Sequence, residues 1–134
     1  MHKHRFTHDR PKFQRRAAVV KPPRIRGMHP HTWGKLGERL ALAYMVACGF
    51  WPLPRRRMPV QVDVLVKRSD LIVLLEVKTR SRYNGLDKTL SFQQQQRLRA
   101  QAVRLAAYYP ACTVRIDVMV ITPVWPFVRY FTNM

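Results

Sequence analysis

VQVDVLVKRSDLIVLLEVKT, running from Val60 to Thr79, is the stretch that decides the fold of this chain. Apolar residues crowd both halves and Lys67 to Asp70 interrupt them, so it reads as two strands joined by a tight polar turn. Side chains alternate between the faces of a strand. Val60, Val62, Val64 and Val66 therefore share one side, with Gln61, Asp63 and Leu65 on the other. In the second strand Leu71, Val73, Leu75 and Val77 share a face, and Ile72, Leu74, Glu76 and Lys78 share the opposite one. Matching the two Val/Leu faces fixes the register parity and sets Asp63 across from Glu76, or one diagonal step away. Two carboxylates about 5 Å apart repel by roughly 3 kcal/mol at an effective dielectric near 20. A single lysine offsets part of that; a divalent cation shared by both turns it into attraction. Acids are scarce, seven Asp and Glu against 25 Lys and Arg, so their convergence beside Lys78 points to a divalent-metal site suited to phosphodiester cleavage.

The net charge of +18 and a pI near 11.4 call for a polyanionic partner, with nucleic acid first and an anionic membrane surface second. At 134 residues the chain is the size of one ordinary domain. Cys48 and Cys112 have no metal-ligand spacing and are expected to stay reduced. The longest apolar stretch, Leu40 to Pro54, contains Gly49 and Pro52 and is too short for a membrane span. No secretory leader is visible, so the expectation is a soluble cytoplasmic protein.

Residues 1–32 form a basic arm, with nine Lys/Arg against Asp9 alone and all five histidines. Such a composition is expected to stay disordered without a partner and to track phosphates. Residues 33–134 are the expected folded domain. Gly34 to Cys48 reads as a helix stopped by Gly49, with Leu36, Leu40 and Tyr44 as its apolar stripe, widened by Ala41, Leu42 and Met45. Glu38, three, four and seven residues before Ala41, Leu42 and Met45, is placed on or beside that buried side. Phe50 to Met58 is expected as a short edge strand. Arg80 to Lys88 reads as a loop. Ser91 and Gln94 form a capping box that opens a second helix with the stripe Leu98, Ala102, Leu105 and Tyr109, closed by Pro110. Val114 to Ile121 and Trp125 to Phe131 read as further strands, the last an edge because of Pro126. The three tryptophans, Trp33, Trp51 and Trp125, are assigned to core or edge packing, with stacking on unpaired bases as the functional alternative. Helix, three strands, helix, one or two strands is an α/β sheet flanked by helices.

At this point Gly34-Lys35-Leu36-Gly37-Glu38, Gln61-Val62-Asp63-Val64-Leu65, Glu76-Val77-Lys78-Thr79-Arg80 and Arg115-Ile116-Asp117-Val118 together resemble the YraN-like family of small bacterial proteins. That family belongs to the PD-(D/E)XK nuclease superfamily, has the restriction-endonuclease-like fold, and is related to Holliday-junction resolvases. The resemblance implies a mixed sheet flanked by helices and a Mg²⁺-dependent endodeoxyribonuclease, with Mn²⁺ as a substitute cation. It implies Asp63, Glu76 and the Val77 carbonyl as metal ligands, Lys78 as the group orienting the attacking water, and Glu38 as an accessory acid. Gln94 falls at the polar position opening the second helix. The family usually has Glu where this chain has Gln61 and Lys where it has Gln94, so a binding-only descendant is the alternative function.

Arg80, Arg82, Lys88, Arg97, Arg99 and Arg104, on the loop and helix after the hairpin, are candidates for phosphate contacts, which position a duplex without reading its bases. Nothing resembles a base-reading helix, so branched, flapped or otherwise non-linear DNA is the expected substrate, with RNA as the variant. Homodimerisation is expected by analogy with the resolvases. Asp117 is assigned a structural pairing with Arg115. The rival of another class is a non-enzymatic basic nucleic-acid-binding module. It accounts for the charge but not for acids gathered on one hairpin.

Overall fold

The computed structural model describes residues 30–55, 60–85 and 89–134. Most of the basic arm, Arg56, Arg57, Met58 and Lys88 lie outside them. The elements are α1 (Pro30–Ala47), β1 (Trp51–Pro52), β2 (Val64–Arg68), β3 (Leu71–Thr79), α2 (Phe92–Tyr108), β4 (Thr113–Ile121) and β5 (Val128–Phe131). The five strands form one mixed sheet in the order β1-β2-β3-β4-β5. Only β3 and β4 are parallel; their connection runs through α2, as a parallel pair requires. The expected α/β architecture and its element order are present.

β3 is the axis of the fold. Ile72, Val73, Leu74 and Leu75 are all fully buried, alternately toward α2 and toward α1. A strand buried on both faces carries an unbroken apolar run, which is what LIVLL supplies. Each such side chain contributes about 1.5–3 kcal/mol on burial. Ile72, Leu74, Leu98, Leu105, Val118 and Val120 build the α2-side core. Val73, Leu75, Ala41, Met45, Met119 and Ile121 build the α1-side core.

Four expectations are corrected by packing. First, β2 begins at Val64 rather than Val60. Asp63 is a bend, and Val60 and Val62 join the α2-side core while Val64 and Val66 join the α1-side core. The parity therefore breaks at Asp63, where the expectation kept all four valines on one face. Second, the buried seam of α1 is Gly37, Ala41 and Met45; Leu36, Leu40 and Tyr44 stay exposed. Small residues win this seam because the helix lies very close to β3: a Cβ on Gly37 would collide with Thr79 Cγ2. Third, β1 is two residues long, since the prolines at 52 and 54 limit its ladder. Fourth, Trp51 is 69% and Trp125 82% exposed, so neither packs in a core, and β5 starts only at Val128.

α1 starts at Pro30, four residues before the expected Gly34, whereas its end and both ends of α2 follow the sequence. Gly49 has φ +87°, and the amides of Gly49 and Phe50 donate to Val46 and Met45, a Schellman stop sealed by buried Phe50 and Met45. Ser91 Oγ accepts from the Gln94 amide at 3.2 Å and Gln94 Oε1 accepts from the Ser91 amide at 3.1 Å, the expected capping box. Among the described residues no helix is long and apolar enough to cross a membrane.

Gly37→Ala is expected to destabilise the fold by about 1–3 kcal/mol through overpacking between α1 and β3. A urea midpoint equal to that of the parent would show that the approach of Gly37 to Thr79 is not tight.

Candidate active site

The β2–β3 ladder starts at Val64↔Leu75, so Asp63 continues the register opposite Glu76 just where β2 turns away. The chain is held in that turn from two directions. Arg55 donates from Nη1 to the Val62 carbonyl at 2.6 Å and from Nη2 to the Asp63 carbonyl at 3.0 Å. On the other side Asp63 Oδ2 accepts from the Val77 amide at 2.7 Å. The N–H and C=O of one extended residue point to the same strand edge. The Val77 carbonyl therefore faces the edge where Asp63 lies. Arg55 was missed as a site residue in the sequence, because an arginine in a basic, proline-rich run carries no signal of its own.

Glu76 lies on the α2 face of β3, only 4% exposed. Its Oε1 is 3.1 Å from Lys78 Nζ and 3.4 Å from Arg97 Nη2. Its Oε2 is buried and has no hydrogen-bond partner. That is costly for a carboxylate oxygen unless a ligand completes it. This is not a half-solvated surface ion pair: the Lys78 side chain is 12% exposed and that of Glu76 only 5%. The expectation that Asp63 and Glu76 project from one face holds in part. Glu76 keeps its face, whereas Asp63 leaves the ladder and bonds the Val77 amide at the strand edge.

Glu38 stands on α1, one residue past the Gly37 contact, and is itself exposed. It lines a cleft of about 220 Å³ with Leu42, Leu53, Arg55 and Asp63. Partial burial of its carboxyl pushes its pKa up from 4.5; the Asp63 charge adds to this, Arg55 and Lys35 oppose it, and Glu76 adds further. The three acids thus share one electrostatic neighbourhood. Among the described residues no three His, Cys, Asp or Glu side chains form a metal cage. Asp63, Glu76 and the Val77 carbonyl would make an all-oxygen set, of the kind that suits a hard cation keeping several of its waters.

Of the expected phosphate contacts, Arg80, Arg82, Arg97, Arg99 and Arg104 are exposed. Arg97 joins the site through Glu76. Gln94 uses its carbonyl in the helix cap. Lys88 lies outside the described residues.

A family model described as "Uncharacterised protein family UPF0102" matches residues 37–121, a span holding Glu38, Asp63, Glu76 and Lys78. The chain belongs to the UPF0102 family. A UPF0102 protein of Chloroflexus aurantiacus is 36% identical over 94 residues, covering 66% of this chain and 78% of that protein. One from Thermodesulfovibrio yellowstonii is 32% identical over 97 residues, covering 66% and 83%. One from Nitrobacter winogradskyi is 35% identical over 95 residues, covering 67% and 80%.

In this UPF0102 chain Asp117 is fully buried and structural, as expected. It shares register with Leu75 in the parallel β3–β4 pair and so faces α1, away from Glu76. Arg115 grips it through Nε at 2.9 Å and Nη2 at 2.8 Å; the Tyr130 hydroxyl and the Asn133 amide also donate to it. Burial, with Asp117 adding to it, drives the Tyr130 phenol well above its usual range.

Two outcomes follow for the UPF0102 chain. Asp117→Ala strands Arg115 and Tyr130 and is expected to cost about 3–5 kcal/mol in urea denaturation; an unchanged midpoint would refute the structural role. The raised Glu38 pKa means the folded chain holds that proton to higher pH than the unfolded chain. Its contribution therefore favours folding at low pH and is lost as pH rises above 4.5. Glu38→Gln is expected to gain stability relative to the parent as pH rises through that window. Parallel pH profiles of the urea midpoint would contradict this.

Proposed function

We propose that this UPF0102 protein is a metal-dependent endonuclease of the PD-(D/E)XK superfamily, on the restriction-endonuclease-like plan, hydrolysing DNA phosphodiester bonds at branched, flapped or otherwise non-linear sites. The observation that carries the reading is the buried, unpartnered Oε2 of Glu76 beside Lys78, at the point where Asp63 and the Val77 carbonyl share a strand edge. A basic binding module has no use for a desolvated carboxylate oxygen in that place.

Asp63, Glu76 and the Val77 carbonyl are the groups that would hold Mg²⁺ or Mn²⁺. When bound, such an ion supplies Lewis acidity to the phosphate and lowers the pKa of a water. The remaining work falls to this chain's own side chains. Lys78, fixed by its ion pair with Glu76, supplies positive charge where phosphate oxygens gain negative charge during attack. Glu38, with its raised pKa, stands across the cleft from Asp63 as the accessory acid. Arg80, Arg82, Arg99 and Arg104 hold the backbone; Arg97, bound to the same Glu76 oxygen as Lys78, draws that backbone toward the site. Water adds to phosphorus and gives up a proton to solvent, the bond to the leaving oxygen breaks, and that oxygen takes up a proton from solvent.

Incubation of the full chain with branched, flapped and linear DNA, and with matching RNA, in Mg²⁺ or Mn²⁺ tests the proposal. Cleavage of the non-linear DNA is expected, reduced about 10²-fold or more in Glu76→Ala and Lys78→Ala. Salt-sensitive binding without cleavage in either metal would leave the binding module as the function.

A further inference from the structure

Resting on the nuclease reading, we propose that the tip of the β4–β5 hairpin is a stacking platform for unpaired bases, so that the substrate carries a single-stranded segment beside the cut. Trp125 and Phe127, 82% and 53% exposed, meet edge to face at that tip, 5.8 Å between centroids. They are not loosely held. The buried Thr122 donates twice across the tip: its amide to the Phe127 carbonyl at 2.9 Å and its hydroxyl to the Val124 carbonyl at 2.9 Å. A fixed turn that presents an indole to solvent contributes nothing to either core, and it costs little conformational entropy when the indole binds.

The sheet register connects this tip to the site. Lys78 pairs with Val120, and Val120 with Arg129, so all three form one row on the α2 face. Two strand spacings put Arg129 about 10 Å from Lys78 along that row. The Arg129 guanidinium lies over the Tyr83 ring at 4.5 Å, and Tyr83 stacks on Phe131. The loop bearing Tyr83 is tied to the same rim by the Arg80 amide, which donates to the Ile121 carbonyl at 2.9 Å. A strand leaving Lys78 thus passes Arg129, which can take a phosphate, and arrives at two free aromatic faces. Duplex DNA hides its base faces within the stack; a single strand offers them, whatever the sequence. Positive charge beside exposed rings suits a polyanion with free bases rather than a second, equally basic copy of this chain.

The test is binding of labelled oligothymidylate, oligouridylate and a duplex of equal length to the full chain in EDTA at fixed salt. Trp125→Ala/Phe127→Ala is expected to lower single-strand affinity about tenfold or more while duplex affinity changes less than about twofold. Oligothymidylate is expected to quench the emission of Trp125 in a protein carrying Trp33→Phe and Trp51→Phe. Preference for the uridylate arm would assign the platform to RNA. Equal losses on single strand and duplex, no loss, or unquenched emission would overturn the proposal. So would light scattering in which the parent is dimeric and the double variant monomeric, since the tip would then be a contact between copies. All of this is read without divalent metal, so absence of cleavage and absence of stacking remain separate results.

Discussion

The hydrogen bond from the Val77 amide to Asp63 is the constraint on which the rest of the arrangement depends. β2 and β3 run as a regular ladder from Arg68↔Leu71 to Val64↔Leu75, and then the ladder ends although β3 continues for four more residues. The amide freed by that parting is satisfied by a carboxylate in place of a strand carbonyl. Arg55 makes the parting affordable by bonding the two carbonyls that β2 no longer presents to a neighbour. A regular hairpin would have covered the edge of β3; this one opens it.

Around the opening, each element contributes through a different physical means. α1 reaches β3 because Gly37 has no side chain, and that approach brings Glu38 to the cleft. β3 supplies Glu76 and Lys78 two residues apart, which the strand period puts on one face. α2 supplies Arg97 from a helix whose start is set by Ser91. The charges are arranged in a graded way: Oε1 of Glu76 meets two cations and Oε2 meets none.

Much of this was legible in the residues. The LIVLL run, the capping box and the Gly49 stop follow from local rules and are present, and the expected β2–β3 parity holds as far as Val64↔Leu75. The parity change at Asp63 was not legible, because valines at 60, 62, 64 and 66 alternate without a break and the bend is imposed by Arg55 from outside the hairpin. The buried seam of α1 was misplaced for a related reason. Hydrophobicity favours Leu36, Leu40 and Tyr44, whereas close packing favours Gly37 and Ala41, and the distance to β3 decides between them. The exposure of Trp125 was equally hidden: apolar character alone cannot tell a core residue from one held out on a turn.

The buried network at Asp117 has an effect beyond rigidity. Asp117 and Glu76, two of the chain's few acids, are both withdrawn into the interior, while arginines such as Arg80, Arg82, Arg99 and Arg104 remain outside. Under the proposed function, a nucleic acid would meet a surface on which exposed arginines outnumber the acids left outside. Capture would then be fast and indiscriminate, with lateral search over the surface preceding any engagement at the opening between Asp63 and Glu76.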